Sequence, residues 1–269
     1  MNYFRVFSAF IAELVTRRQL ILEMTRRDFK SKYLGSYLGM LWAFVHPTVY
    51  ITILWFVFSF VFKSKPVQDV PYVLWLASGI IPWFFFNDAL SSATGAILDN
   101  SFIVKKVAFS IGILPLVRLF STLIIHLFFL AMIFVMFVIN GSPISIHSIQ
   151  VVYFLAASLI LLTGLSWLTS SVIIFFRDMG QLVAMGLQFL FWGTPIFWPI
   201  NLVPAKYLPF VKLNPVEYIV EGYRDSLIHK VWFWEHPWQT LYFWGVTGLL
   251  FVLGAVVFRR LRPHFADVL

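Results

Sequence analysis

Apolar residues fill most of the chain in blocks near or above 20 residues, separated by short clusters of charge, proline and glycine. The blocks fall at 39–62, 72–92, 111–139, 151–175, 181–200 and 239–258. About 20 apolar residues in a helix cross the roughly 30 Å of bilayer hydrocarbon. The pattern therefore predicts an all-α integral membrane protein with six transmembrane helices in one domain. The third block is long enough to tilt, and Pro115 is expected to bend it near its start.

Three segments do not read as spans. Residues 4–24 mix Phe4, Phe7, Phe10, Ile11, Leu14 and Leu22 with Arg5, Glu13, Arg17 and Arg18. That is a helix apolar on one side and too polar to insert, so residues 4–32 are expected to form an interface helix and a basic arm. Residues 97–109 place Phe102, Ile103 and Val104 between Asp99 and the pair Lys105–Lys106. Such apolar residues in a polar loop await a partner protein or dip into lipid headgroups, and the segment alone leaves both readings open. Residues 204–228 are punctuated by Pro204, Pro209 and Pro215 and predict two short re-entrant external helices before the last span. The second carries Glu217, Glu221 and Asp225 at i, i+4 and i+8, an acidic stripe along one helical face.

Composition agrees with a membrane protein: 60% of residues are hydrophobic and 12% charged, where a soluble domain carries about 25% charged residues. Glu13, Arg17 and Arg18 interrupt any signal-peptide core at the N-terminus. With no cysteine, disulfides and thiolate chemistry are excluded. The net charge of +8 is concentrated beside span ends rather than on a nucleic-acid-binding surface. Arg5, Arg17, Arg18, Arg26, Arg27, Lys30, Lys32, Lys105, Lys106, Arg177, Arg259, Arg260 and Arg262 fall on one face. The positive-inside rule puts that face, with both termini, in the cytoplasm, where each cation near the anionic leaflet contributes about 1 kcal/mol.

Candidate chemistry is sparse. No G-x-x-x-x-G-K-[ST] occurs, and the six histidines show no metal-ligand spacing. His46, Asp88, Arg118 and His126 are the ionisable residues inside the spans, and such residues are functional candidates by default. Asp88 and Arg118 are expected to lie at one depth and pair. Aromatic residues, at 19%, are abundant beyond what interface belts require.

The order of these pieces resembles a known family. "RRDFKSKYLGSYLGMLWAFVHPTVY", "SGIIPWFFFNDALSSATGAILDNSFIVKKVAFS", "FFRDMGQLV", "TPIFWP" and "LNPVEYIVEGYRDSLI" are similar, in order and over nearly the whole chain, to motifs of the polysaccharide-exporting ABC-2 permeases. The end "GYRDSLI…KVWFWEHPWQTLYFW" leans to the wall teichoic acid translocation permeases. The resemblance implies a homodimer in the bacterial cytoplasmic membrane, joined by two copies of an ABC nucleotide-binding subunit that binds the ATP and magnesium. It implies no cofactor in this chain, no enzymatic site, and an undecaprenyl-diphosphate-linked polymer as substrate.

On the resemblance, Asn100, Phe102, Ile103, Val104, Lys105 and Lys106 are the expected contacts to the ATPase subunit. Arg26, Arg27, Lys30 and Lys32 are candidates for the lipid diphosphate, which guanidinium groups bind bidentately, or serve as orientation anchors alone. Tyr37, Trp42, Tyr50, Trp83, Phe84, Phe85, Trp192 and Phe197 are candidates for an aromatic-lined path. Tyr207, Phe210, Tyr218, Tyr223 and Arg224 are candidates for an external gate. Two alternatives remain at this stage: a membrane-embedded transferase acting on lipid-linked sugars, and a small-solute exporter of the same ABC-2 class.

Overall fold

The structure is a computed structural model that describes residues 16–32, 39–61, 63, 70–102, 110–142 and 144–269. The arm before Thr16, Tyr37 and the loop residues Ile103 to Lys106 lie outside the described residues. The regular elements are helices: α1 (Arg18–Ser31), α2 (Trp42–Phe56), α3 (Tyr72–Thr94), α4 (Ile113–Ile139) and α5 (Val151–Val172). They continue with α6 (Met179–Gly193), α7 (Leu208–Lys212), α8 (Pro215–Arg224), α9 (Pro237–Leu261) and α10 (Phe265–Val268).

Among the described residues, five helical stretches are long and apolar enough to cross a bilayer: Gly39–Val61, Tyr72–Thr94, Ile113–Ile139, Ile146–Val172 and Pro237–Val268. They coincide with five of the six expected blocks. The remaining block, 181–200, contains α6, whose 15 residues span about 22 Å at 1.5 Å per residue. It stops at Gly193 because Pro195 and Pro199 follow. A proline disfavours helical geometry in the residue before it, and Thr194 is extended. Pro115 lies in the first turn of α4, where an absent N–H leaves no hydrogen bond unmade.

α3 is the centre of the bundle. In its best apolar window 78% of residues are buried, against 6% in Gly39–Val61. α3 packs against α4, α5, α6 and α8, and α5 lies along α9. That second pairing depends on glycine: a Cβ on Gly164 would come within 2.6 Å of the Phe251 backbone, and one on Gly254 would collide with the Gly164 carbonyl. Small residues that let backbones approach are the usual means of helix association where lipid is as apolar as leucine. α2 and α6 pack loosely. Leu187 is the one buried residue of α6, while Leu182, Met185, Phe189 and Trp192 are exposed.

Proline and asparagine fix the start of α8. The Asn214 side chain accepts a hydrogen bond from the Val216 N–H at 2.9 Å, and Pro215 takes the first helical position, where its fixed φ is already helical. Past Arg224 the turn widens to a π-helix, Asp225–His229, which Lys230 ends in the left-handed region at φ 58°.

Candidate functional site

Two groups of the described candidate residues lie at opposite ends of the bundle. At the first, α1 lays Ile21 and Thr25 against α4, with Ile21 meeting Ile113 and Val117. Asp28, one turn further on the same face, reaches Arg118 at 2.8 Å. The other guanidinium nitrogen of Arg118 lies 2.8 Å from Asp99. Arg118 is thus held between α1 and the turn after α3, and the expected Asp88–Arg118 pair is replaced by these two. Asp88 instead accepts from Asn87 at 3.2 Å, with Lys32 and His46 in its neighbourhood.

Arg26, Arg27 and Lys30 sit on the outward faces of α1, and Lys32 lies just past its end, 3.7 Å from Asp28. The basic cluster is therefore carried largely on a helix rather than on an extended arm. The Asn100 side chain donates to the Ala96 carbonyl at 2.8 Å and caps the turn that follows α3, and Phe102 is 67% exposed.

The aromatic candidates divide by exposure. Trp42, Tyr50 and Trp192 are exposed, whereas Trp83 and Phe85 are buried, with Phe84 and Phe197 between. Tyr50 meets Phe84 edge-on at 5.6 Å, and Trp192 meets Phe197 at 5.3 Å. Phe85 stacks on the ring of His126 at 4.6 Å. The His126 Nε2 lies 2.9 Å from the Tyr223 hydroxyl, so His126 ties α4 to α8.

At the second end, α8 presents a buried polar face. The Arg224 guanidinium lies over the Trp75 ring at 3.7 Å. It donates to the carbonyls of Pro195 and Ile196, and to Glu221 Oε2 at 3.1 Å. Gly79 makes room for it, since a Cβ there would come within 2.6 Å of an Arg224 nitrogen. One arginine thereby joins α3, the turn after α6, and α8. Tyr218 joins Tyr153 at 3.1 Å and Thr240 at 3.0 Å, linking α5 and α9. Of the expected gate residues, Tyr218, Tyr223 and Arg224 are buried, while Tyr207 and Phe210 are exposed.

The acidic stripe faces inward. Glu217, Tyr218, Glu221 and Asp225 line a cavity of about 330 Å³ with Phe154 and Phe233. Burial raises Glu217 from the usual carboxylate range to about 8, assisted by the neighbouring Glu221 charge. Asp225 is raised for the same two reasons. Burial opposes the ionisation of Glu221 too, but hydrogen bonds and charges from His229 and Arg224 hold it below its ordinary value. Sequence reasoning missed His229, which lies 3.4 Å from Glu221. It continues the four-residue spacing of Glu217, Glu221 and Asp225, and that spacing was the available signal.

A sequence profile of the ABC-2 type transporter family matches residues 19–228, from α1 through the buried face of α8. The chain belongs to the ABC-2 type transporter family. This ABC-2 chain is 28% identical over 251 residues to the O-antigen export system permease protein RfbA of Klebsiella pneumoniae, covering 93% of this chain and 95% of the relative. It is 26% identical over 269 residues to the protein of the same name from Myxococcus xanthus, covering 96% and 98%. It is 24% identical over 223 residues to the polysialic acid transport protein KpsM of Escherichia coli, covering 82% and 84%. The ABC-2 match takes in the Arg118 junction and the Arg224 bracket.

Proposed function

We propose that this chain is the membrane permease subunit of an ABC exporter for undecaprenyl-diphosphate-linked polysaccharide, driven by ATP hydrolysed in a separate subunit. The observation that carries the reading is near full-length similarity to permeases named for O-antigen export. With the polysialic acid transport protein beside them, those names move the weight from wall teichoic acid to O-antigen-class polysaccharide.

In this reading the α1 end faces the cytoplasm, and the exposed Phe102 and Asn100 turn, continuing into Ile103–Lys106, docks on the nucleotide-binding subunit. Arg26, Arg27, Lys30 and Lys32 face the headgroup layer, where they meet the carrier diphosphate. α6 with the turn that follows completes a sixth span, and α7 and α8 form the re-entrant external pair. A second copy of the chain covers the loosely packed α2 and α6, so the aromatic residues Trp42, Tyr50, Trp192 and their neighbours line a path between subunits. Sugars stack on such rings without being held by charge. Closure of the ATPase pair then reaches the spans through α1 and the 95–102 turn as a rigid-body movement.

The test is co-expression with an ABC nucleotide-binding subunit from the same genome, purification into lipid, and ATP hydrolysis measured with and without lipid-linked polymer. A 2:2 complex whose hydrolysis responds to the polymer supports the reading. A chain that purifies stably and recruits no ATPase overturns it.

A further inference from the structure

We propose that Glu221, Asp225 and His229 form a binding site for a divalent transition-metal cation at the end of α8. The inference goes beyond the export reading and does not depend on which polymer is carried.

The geometry comes first. One donor atom from each of these three residues can be chosen so that all lie within 4.8 Å of one another. Donors about 2.1 Å from a common ion lie about 3–4 Å apart, so small side-chain rotations bring the three onto one centre. The π-turn Asp225–His229 carries His229, whose Nε2 lies 3.4 Å from Glu221, and single π-turns inside helices occur frequently at functional sites.

A second observation is independent of that cluster. Glu217, 1% exposed, lines the same cavity, and its Oε2 has no hydrogen-bond partner. A buried carboxyl oxygen without a partner is costly, and a nearby cation that displaces the carboxyl proton would relieve it.

The site is also reachable. The Glu221 side chain is 25% exposed, so an ion has a way in. Arg224 keeps its two backbone acceptors if Glu221 turns toward a metal. His236, 3.8 Å from Asp225, stands close enough to complete the donor set. Two carboxylates with imidazole suit Mn²⁺ or Zn²⁺, whereas Ca²⁺ and Mg²⁺ favour all-oxygen sets. The bound ion would clamp the last turn of α8 to the segment leading into α9.

The test uses the full-length, tag-free chain in lipid nanodiscs with Mn²⁺ as probe, followed by pulsed EPR. The expected result is one ion per chain, carrying the nitrogen modulation of a coordinated imidazole and displaced by Zn²⁺. His229→Gln should diminish that modulation, and His229→Gln together with His236→Gln should abolish it. Glu221→Gln and Asp225→Asn should each weaken binding at least about tenfold, the lower bound for loss even of outer-shell support. No uptake beyond bare nanodiscs, uptake without nitrogen modulation, or equal binding by wild type and Glu221→Gln would each overturn the site. Glu221→Gln and Asp225→Asn are read separately, so the site stays falsifiable should one variant fail to fold.

Discussion

Asp28 of α1 and Arg118 of α4 meet at 2.8 Å with both side chains largely covered, 12% and 16% exposed. The same guanidinium binds Asp99 at 2.8 Å, but that carboxylate is 57% exposed. Burial should therefore set the relative worth of the two contacts. Asp28→Asn is expected to destabilise by about 1–3 kcal/mol, the range for a hydrogen bond to a charged group that is partly desolvated. Asp99→Asn should cost less than about 1 kcal/mol because water and salt screen it. Thermal unfolding of the purified variants in detergent checks the order. Equal losses would mean that burial does not decide here.

The α5–α9 crossing makes a sharper prediction. Gly254→Ala drives a methyl into the Gly164 carbonyl, a backbone clash that side-chain rotation cannot relieve. The expected loss is about 1–3 kcal/mol, as for overpacked cores, with lower yield of folded chain. Gly248→Ala in the same helix meets nothing within 4 Å and should be neutral or slightly stabilising, since alanine favours helix over glycine by up to about 1 kcal/mol. Paired melting curves in one detergent separate the two. Equal destabilisation by both would remove the close approach as the cause.

Arg224→Lys tests the bracket. Lysine keeps the charge but loses the planar fork that serves two carbonyls, Glu221 and the Trp75 face together. The expected loss is about 2–4 kcal/mol, because buried acceptors are left unpaired around a charge. Proteolysis should then cut sooner in the connection between α6 and α8, which Arg224 ties to α3. A variant as stable and as protease-resistant as wild type would show that the charge alone suffices.

Much of this architecture is legible in the sequence because hydropathy measures what the bilayer measures. The ranges of α3, α4, α5 and α9 follow from apolar runs, and Asn214–Pro215 marks the start of α8. The end of α6 was not legible from hydropathy, since "FLFWGTPIFWPI" stays apolar across the prolines that stop the helix. Nor was the partner of Arg118: Asp28 is 90 positions away, and nothing local distinguishes it from Asp88 or Asp99. The acidic stripe on α8 was visible as a pattern, but its pairing with Arg224 and His229 was not. Carboxylates are rarely buried unless paired, and here the pairing cation lies on the same short helix.

Phe102 carries the last prediction, which rests on the export reading. Its side chain is 67% exposed at the far edge of the turn that begins beyond α3 and contains Asp99, the partner of Arg118. Phe102→Asp removes an exposed apolar group, and insertion of the chain into the membrane is expected to be intact. In the complex with the ATPase subunit, a carboxylate in an apolar docking cleft is costly. The partner is therefore expected to bind more weakly and to lose its response to lipid-linked polymer, while its own basal hydrolysis persists. Hydrolysis measured against polymer concentration in nanodiscs checks this. A wild-type response from Phe102→Asp would mean that the turn meets headgroups rather than protein, and the docking surface would then have to be sought on α1, where Arg26, Arg27 and Lys30 face outward.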